Sequence, residues 1–142
     1  MKKIFSVFSL IFLLNACSGS DDNFNRNPNL PDLNFRFQIN LSLPEYSDLQ
    51  FPGNSYATYN YGVKGVVIYN INNDQFVAFE LSDPNHPPSS CSAMRVNGVM
   101  ASCECDINTY NVITGQQSEG EGTFPMKPYR VERSGNSLLI YN

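Results

Sequence analysis

Tryptophan is absent, histidine occurs once and basic residues are few in this 142-residue chain, and each shortage closes off a kind of function. With His86 as the sole imidazole and no Gly-x-Ser-x-Gly, there is little from which to build a Ser-His-Asp triad. Nine Lys and Arg stand against thirteen Asp and Glu, a balance that disfavours nucleic acid and anionic lipid surfaces. The longest apolar segment, Ile4 to Leu14, covers about eleven residues, well short of the ~20 that span a bilayer. No stretch carries an amphipathic helical period for three turns. Glu119-Gly120-Glu121-Gly122 lacks the Gly and Lys pattern of a phosphate loop, and its two carboxylates read as a solvated turn rather than a catalytic pair.

What remains is rich in Asn, Tyr, Phe, Gly and Pro, which suits short strands joined by turns. Leu33, Phe35, Phe37, Ile39, Leu41 and Leu43 alternate with polar residues over eleven positions, predicting a strand with one buried face that Pro44 stops. Val63 to Ile71 and Phe76 to Leu81 predict a hairpin around Asn72-Asn73-Asp74-Gln75. Met94 to Val96 and Val99 to Ser102 predict a second around Asn97-Gly98, where both turn residues would need positive φ. Tyr129 to Glu132 and Ser137 to Tyr141 predict a third around Arg133-Ser134-Gly135-Asn136. The expected fold is all-β, a small antiparallel sandwich or open barrel. Tyr56, Tyr59 and Tyr61 could offer a stacking surface for a glycan or peptide, but packing on a sheet explains them more simply.

Lys2 and Lys3, the apolar Ile4 to Leu14, then Leu14-Asn15-Ala16-Cys17 form a charged segment, an apolar segment and a small residue before a cysteine. This resembles the lipobox of bacterial lipoproteins. The resemblance implies a signal peptide over 1–16, removed to leave Cys17 acylated as the membrane anchor, and a protein of the bacterial cell envelope. An outer-membrane lipoprotein facing the periplasm or the exterior is expected, with an envelope protein as partner. Two or more acyl chains, at ~0.8 kcal/mol per buried methylene, hold durably. Losing Lys2 and Lys3 leaves 7 basic and 13 acidic residues, a net charge of −6 over 126 residues, enough for one domain. Residues 17–32, rich in Asn, Asp, Ser and Pro, are expected to be a disordered tether, and 33–142 the domain. Ser20-Asp21-Asp22 also resembles the acidic export tag of some surface lipoproteins.

Beyond Cys17, the cysteines are Cys91, Cys103 and Cys105, gathered within fifteen residues around Asn97-Gly98. Spacing alone allows Cys91 to pair with Cys105 or Cys103, and closing so short a loop is worth ~3 kcal/mol. It also allows a metal held by some of His86, Cys91, Cys103, Cys105 and Asp106, whose donors suit zinc or a two-iron cluster. A thiol redox catalyst is disfavoured, because no helix N-terminus is near and Glu104 and Asp106 would raise a thiol pKa.

Cys103-Glu104-Cys105-Asp106 is followed by Tyr110-Asn111, Thr114-Gly115 and Phe124-Pro125-Met126-Lys127-Pro128-Tyr129-Arg130-Val131, and this order resembles the second cluster loop of Rieske-type iron–sulfur domains. The first loop of that family falls on His86-Pro87-Pro88-Ser89-Ser90-Cys91, and the likeness covers about residues 62–142. It implies a Rieske-like fold, with the family's clamping disulfide on Cys91 and Cys105. The four ligand positions, two Cys and two His in the family, fall on His86, Pro88, Cys103 and Asp106. Only Cys103 keeps the family's ligand type. The expectation is therefore a cluster-free domain with no metal or cofactor, non-enzymatic, serving a structural or binding role. The alternative is an electron-transfer protein holding a 2Fe-2S cluster or zinc through a non-standard set including His86, Cys103 and Asp106.

Overall fold

The structure, a computed structural model, describes residues 27–142. Cys17, the expected signal peptide and the Ser20-Asp21-Asp22 tag lie outside those residues.

Among the described residues, ten strands form two antiparallel sheets. The larger has the order β1-β10-β9-β4-β3-β2, built from β1 (Arg36–Asn40), β2 (Ser55–Thr58), β3 (Val66–Asn70), β4 (Phe76–Glu80), β9 (Pro128–Ser134) and β10 (Ser137–Tyr141). The smaller runs β5-β6-β7-β8, with β5 (Arg95–Asn97), β6 (Met100–Ser102), β7 (Thr109–Asn111) and β8 (Gln117–Glu119). Strand β3 explains how two sheets share one centre. All five of its residues are buried. Alternation sends Val66 and Ile68 into one core with Ile39, Leu138, Ile140 and Tyr129. Val67 and Tyr69 enter a second core with Phe79, Leu81, Met94, Ala101, Tyr110 and Met126, between the two sheets. The first core joins β1, at one edge, to β3, near the other, so the large sheet curls around it.

Several elements differ from the sequence expectation for local reasons. The eleven-residue alternation yields only the five-residue β1, because its partner β10 is five residues long; Leu41 adds one further bond to the Asn136 carbonyl. Leu33 and Leu43 are left exposed. Pro44 does more than stop the strand. It begins a 3-10 helix, Pro44–Gln50, whose Leu49 is fully buried as a lid on the first core. The Asn97-Gly98 hairpin is present one residue out of place. Asn97 pairs with Met100, so the turn residues are Gly98 and Val99, and of Asn97 and Gly98 only Gly98 has positive φ, at 60°. That is the pattern of a type II′ turn, which needs glycine at its first position only. Of the tyrosines, Tyr61 stacks on Phe37 at 4.0 Å and Tyr56 meets Tyr46 edge-on, while Tyr59 stays exposed.

The expected tether ends sooner than Asp32. Leu30 is buried, the side-chain amides of Asn27 and Asn29 both donate to the Pro84 carbonyl, at 2.7 and 2.9 Å, and Lys127 Nζ pairs with Asp32. An apolar plug and two amides that find an acceptor hold residues 27–32 against the domain.

Where β4 ends, Glu80 is completely buried and serves as an acceptor hub. Its Oε2 receives the Val63 N–H at 2.7 Å and the Tyr129 hydroxyl at 2.5 Å; its Oε1 receives the Lys64 N–H at 2.9 Å and the Ser82 N–H at 2.8 Å. Burial, with the Glu80 carboxylate beside it, drives the Tyr129 phenol above its usual range. The irregular segment between β2 and β3 is thereby tied to the sheet.

Candidate functional site

Two loops converge at one end of the small sheet. Residues 81–94, between β4 and β5, carry Asp83, Asn85, His86, Ser89 and Cys91. Residues 103–108, between β6 and β7, carry Cys103, Cys105, Asp106 and Asn108. Backbone bonds from Asp83 N to Ser92 O and from Cys103 N to Asn108 O close each loop on itself. A disulfide between Cys91 and Cys105 staples them together, closing a sequence separation of 14. Ser89 Oγ rests against both sulfurs, at 3.3 and 3.4 Å. Such a short closed loop contributes ~3 kcal/mol through the entropy of the unfolded chain.

Cys103 is the free thiol among the described residues, and it is buried. Its Sγ lies 3.3 Å from His86 Nε2 and accepts the Cys105 N–H at 3.4 Å. Burial first, then the Asp83 and Asp106 carboxylates, pushes the thiol up to about 11, against the opposing effect of the Cys105 N–H. It is therefore a protonated thiol at neutral pH, a poor nucleophile. The sequence expectation named Glu104 as one of the acids responsible. Glu104 instead pairs with Arg95 at the surface, and Asp83 takes that place.

Asp83 is the site residue that the sequence did not single out. Its Oδ1 accepts the Tyr110 hydroxyl at 2.8 Å and the Asn85 N–H at 2.7 Å, and its Oδ2 accepts Asn108 Nδ2 at 3.0 Å. The same Asn108 amide reaches Asp106 Oδ2 at 3.0 Å, while the Asn108 N–H reaches Asp106 Oδ1 at 2.8 Å. One amide thus holds two carboxylates facing the same space. Burial raises the Tyr110 phenol strongly, and its bond to Asp83 adds to the effect. Asn108 is itself locked by Gly120, whose φ is +108° and where a Cβ would stand 2.0 Å from Asn108 Oδ1. The Gly-flanked acidic loop is thus a packing element, with Asn85 and Asn108 side chains capping its N–H groups.

His86 sits between the acids. Its Nε2 is 3.7 Å from Asp106 Oδ2 and 3.9 Å from Asp83 Oδ2. Its Nδ1 is 2.9 Å from the Pro87 carbonyl, an acceptor only, so Nδ1 carries a proton and donates. Of the expected positions, His86, Cys103 and Asp106 are brought together and joined by Asp83. Pro88 offers no side-chain donor atom, and Glu119 and Glu121 are exposed and fall outside the group.

No protein-family model matches the sequence, and no curated protein matches it. Among solved structures, the fold is similar to a chain in the complex of reduced oxygenase and oxidized ferredoxin in carbazole 1,9a-dioxygenase. That likeness has a TM-score of 0.51 at 24% identity, covering 75% of this chain and 92% of that one. A Sphingomonas yanoikuyae B1 ferredoxin aligns at a TM-score of 0.46 and 16% identity, over 65% of this chain and 88% of its own. The ferredoxin of carbazole 1,9a-dioxygenase from Nocardioides aromaticivorans IC177 aligns at 0.46 and 15%, over 77% and 97%. The protein has a Rieske-like fold, with a curled antiparallel sheet bearing a small second sheet whose loops form the site.

Proposed function

We propose that this chain is an envelope lipoprotein, anchored through Cys17, whose Rieske-like domain carries no iron–sulfur cluster and serves a structural or binding role. The observation that carries the reading is the donor set at the cluster loops. A Rieske centre takes two cysteines on one iron and two histidines on the other. Here one imidazole and one free thiol remain, Pro88 stands at a ligand position, and Asp106 stands at another. The residues do not fit the cluster. What the resemblance carries over is the Cys91–Cys105 staple, and this chain adds its own frame of Asn108 and Tyr110 hydrogen bonds and the packed Gly120 loop. A scaffold kept without its ligands is suited to holding loop surfaces in fixed relation for a partner in the envelope. The −6 charge of the mature chain argues against nucleic acid as that partner.

The test is iron, acid-labile sulfide and visible absorbance on the full-length protein, purified in detergent without chelator, together with incorporation of a labelled fatty acid. Label retained by the wild type and lost in Cys17→Ser, with no iron and no sulfide, is the expected result. Two irons with sulfide and visible bands would make the protein an electron carrier with a new ligand set. Label unaffected by Cys17→Ser would remove the anchor.

A further inference from the structure

We propose that Asp83, His86, Cys103 and Asp106 form a mononuclear site for one divalent cation of the zinc class, at the place where the family holds its cluster. This deepens the cluster-free reading and rests on it. Four donors of three types converge: one carboxylate oxygen from each aspartate, His86 Nε2 and Cys103 Sγ, all within 4.8 Å of one another. A tetrahedral zinc ion with bonds of ~2.0–2.3 Å places its donors ~3.3–3.7 Å apart. The distances from His86 Nε2, 3.3 Å to Cys103, 3.7 Å to Asp106 and 3.9 Å to Asp83, are close to those edges. Donors grouped about one point suit one ion and not two bridged irons.

The surroundings support the assignment independently. Metal-binding histidines usually donate their second ring N–H to a carbonyl or carboxylate, which fixes the tautomer that binds. His86 Nδ1 makes that bond to Pro87 O, so Nε2 is the nitrogen turned to the site. Ligating carboxylates are in turn oriented by hydrogen bonds. Asn108 holds both, Tyr110 and the Asn85 N–H hold the far oxygen of Asp83, and Asp83 is fully buried. Two carboxylates facing each other around a buried thiol need positive charge to offset them. Among the described residues no Lys or Arg forms an ion pair with either, and His86 is the group that faces both. A mixed sulfur, nitrogen and oxygen set favours zinc over magnesium or calcium. On binding, the Cys103 S–H bond breaks, the sulfur bonds to the ion and the proton leaves to solvent, with no change of oxidation state. Cys105 is not needed, since its sulfur is committed to the disulfide.

The experiment is a titration of the full-length protein in detergent, washed with chelator and kept oxidised, with Co²⁺ alone as the optical probe and Zn²⁺ as its competitor. One equivalent should bind, with near-ultraviolet thiolate-to-cobalt absorption and tetrahedral visible bands, and Zn²⁺ should displace it. Cys103→Ser should lose the near-ultraviolet band. His86→Gln, at a partly exposed loop position, should keep the circular dichroism of the wild type and bind cobalt at least ~100-fold more weakly, and Asn108→Ala ~10–100-fold more weakly. No saturable binding to the folded wild type would overturn the site, as would binding unchanged in His86→Gln. If the protein as purified holds two irons and sulfide, the cluster-free reading fails and this inference fails with it. If it holds neither and also binds no cobalt, only this inference fails.

Discussion

Glu80 and Asp83 lie three residues apart at the end of β4, both are completely buried, and both accept a tyrosine hydroxyl. They nevertheless do different work. Glu80 is saturated by four donors, three of them backbone N–H groups from the segments on either side of it, and no other ionisable side chain except Tyr129 bonds to it. Asp83 is held on one oxygen by Tyr110 and Asn85, and its other oxygen, which takes one donor from Asn108, also faces His86, in the group that includes Cys103 and Asp106. A buried carboxylate surrounded by donors alone is part of the frame. One whose neighbours include another acid, an imidazole and a thiol is a candidate for chemistry.

The comparison is broken most directly at Glu80. Glu80→Ala strands three N–H groups and a phenol, and a loss on the order of 4 kcal/mol is expected in denaturant unfolding. A loss no greater than that of Asp83→Asn would erase the distinction. Cys91→Ser, read by the same unfolding curves, should cost ~3 kcal/mol through the freed loop, and an unchanged midpoint would mean that the staple is energetically idle. Gly120→Ala combines a positive φ with a clash on Asn108, so a loss of ~2 kcal/mol is expected, with weaker cobalt binding as the second readout because the amide that orients both acids must move. Asp83→Asn keeps an acceptor for Tyr110 and should cost only ~1 kcal/mol, yet abolish the cobalt spectrum; a variant that still binds would remove Asp83 from the ligand set. The smallest effect is a pH dependence. Because the folded Cys103 thiol titrates near 11, above the 9.0 of a free thiol, its contribution to stability is fully present below pH 9 and is lost as pH rises from 9 to 11. In metal-free protein, unfolding midpoints across that range should fall more in the wild type than in Cys103→Ala.

Five of the six strands of the large sheet were legible because they alternate or are apolar throughout, and because turn residues bound them; β2, the four residues Ser55–Thr58 ahead of a Tyr- and Gly-rich stretch, was not. Strands β7 and β8 were not legible either, since three residues such as Thr109–Asn111 are too few to show a period. The 3-10 helix was hidden because Pro44 reads equally well as a stop. His86, Cys103 and Asp106 were visible through chemistry and resemblance. Asp83 was not, because Asp-Pro-Asn reads as an ordinary turn, and only burial and the arrival of Asn108 from the other loop and Tyr110 from β7 reveal its role.

The docking of residues 27–32 has a mechanical consequence. Asn27 and Asn29 grip the carbonyl of Pro84, the residue between Asp83 and the Asn85-His86 pair. Two of the bonds that hold residues 27–32, those from the Asn27 and Asn29 amides, therefore end on the loop that carries Asp83 and His86, beside the Leu30 plug and the Asp32–Lys127 contact. A pull transmitted through Asn27 and Asn29 thus bears directly on the two-loop site.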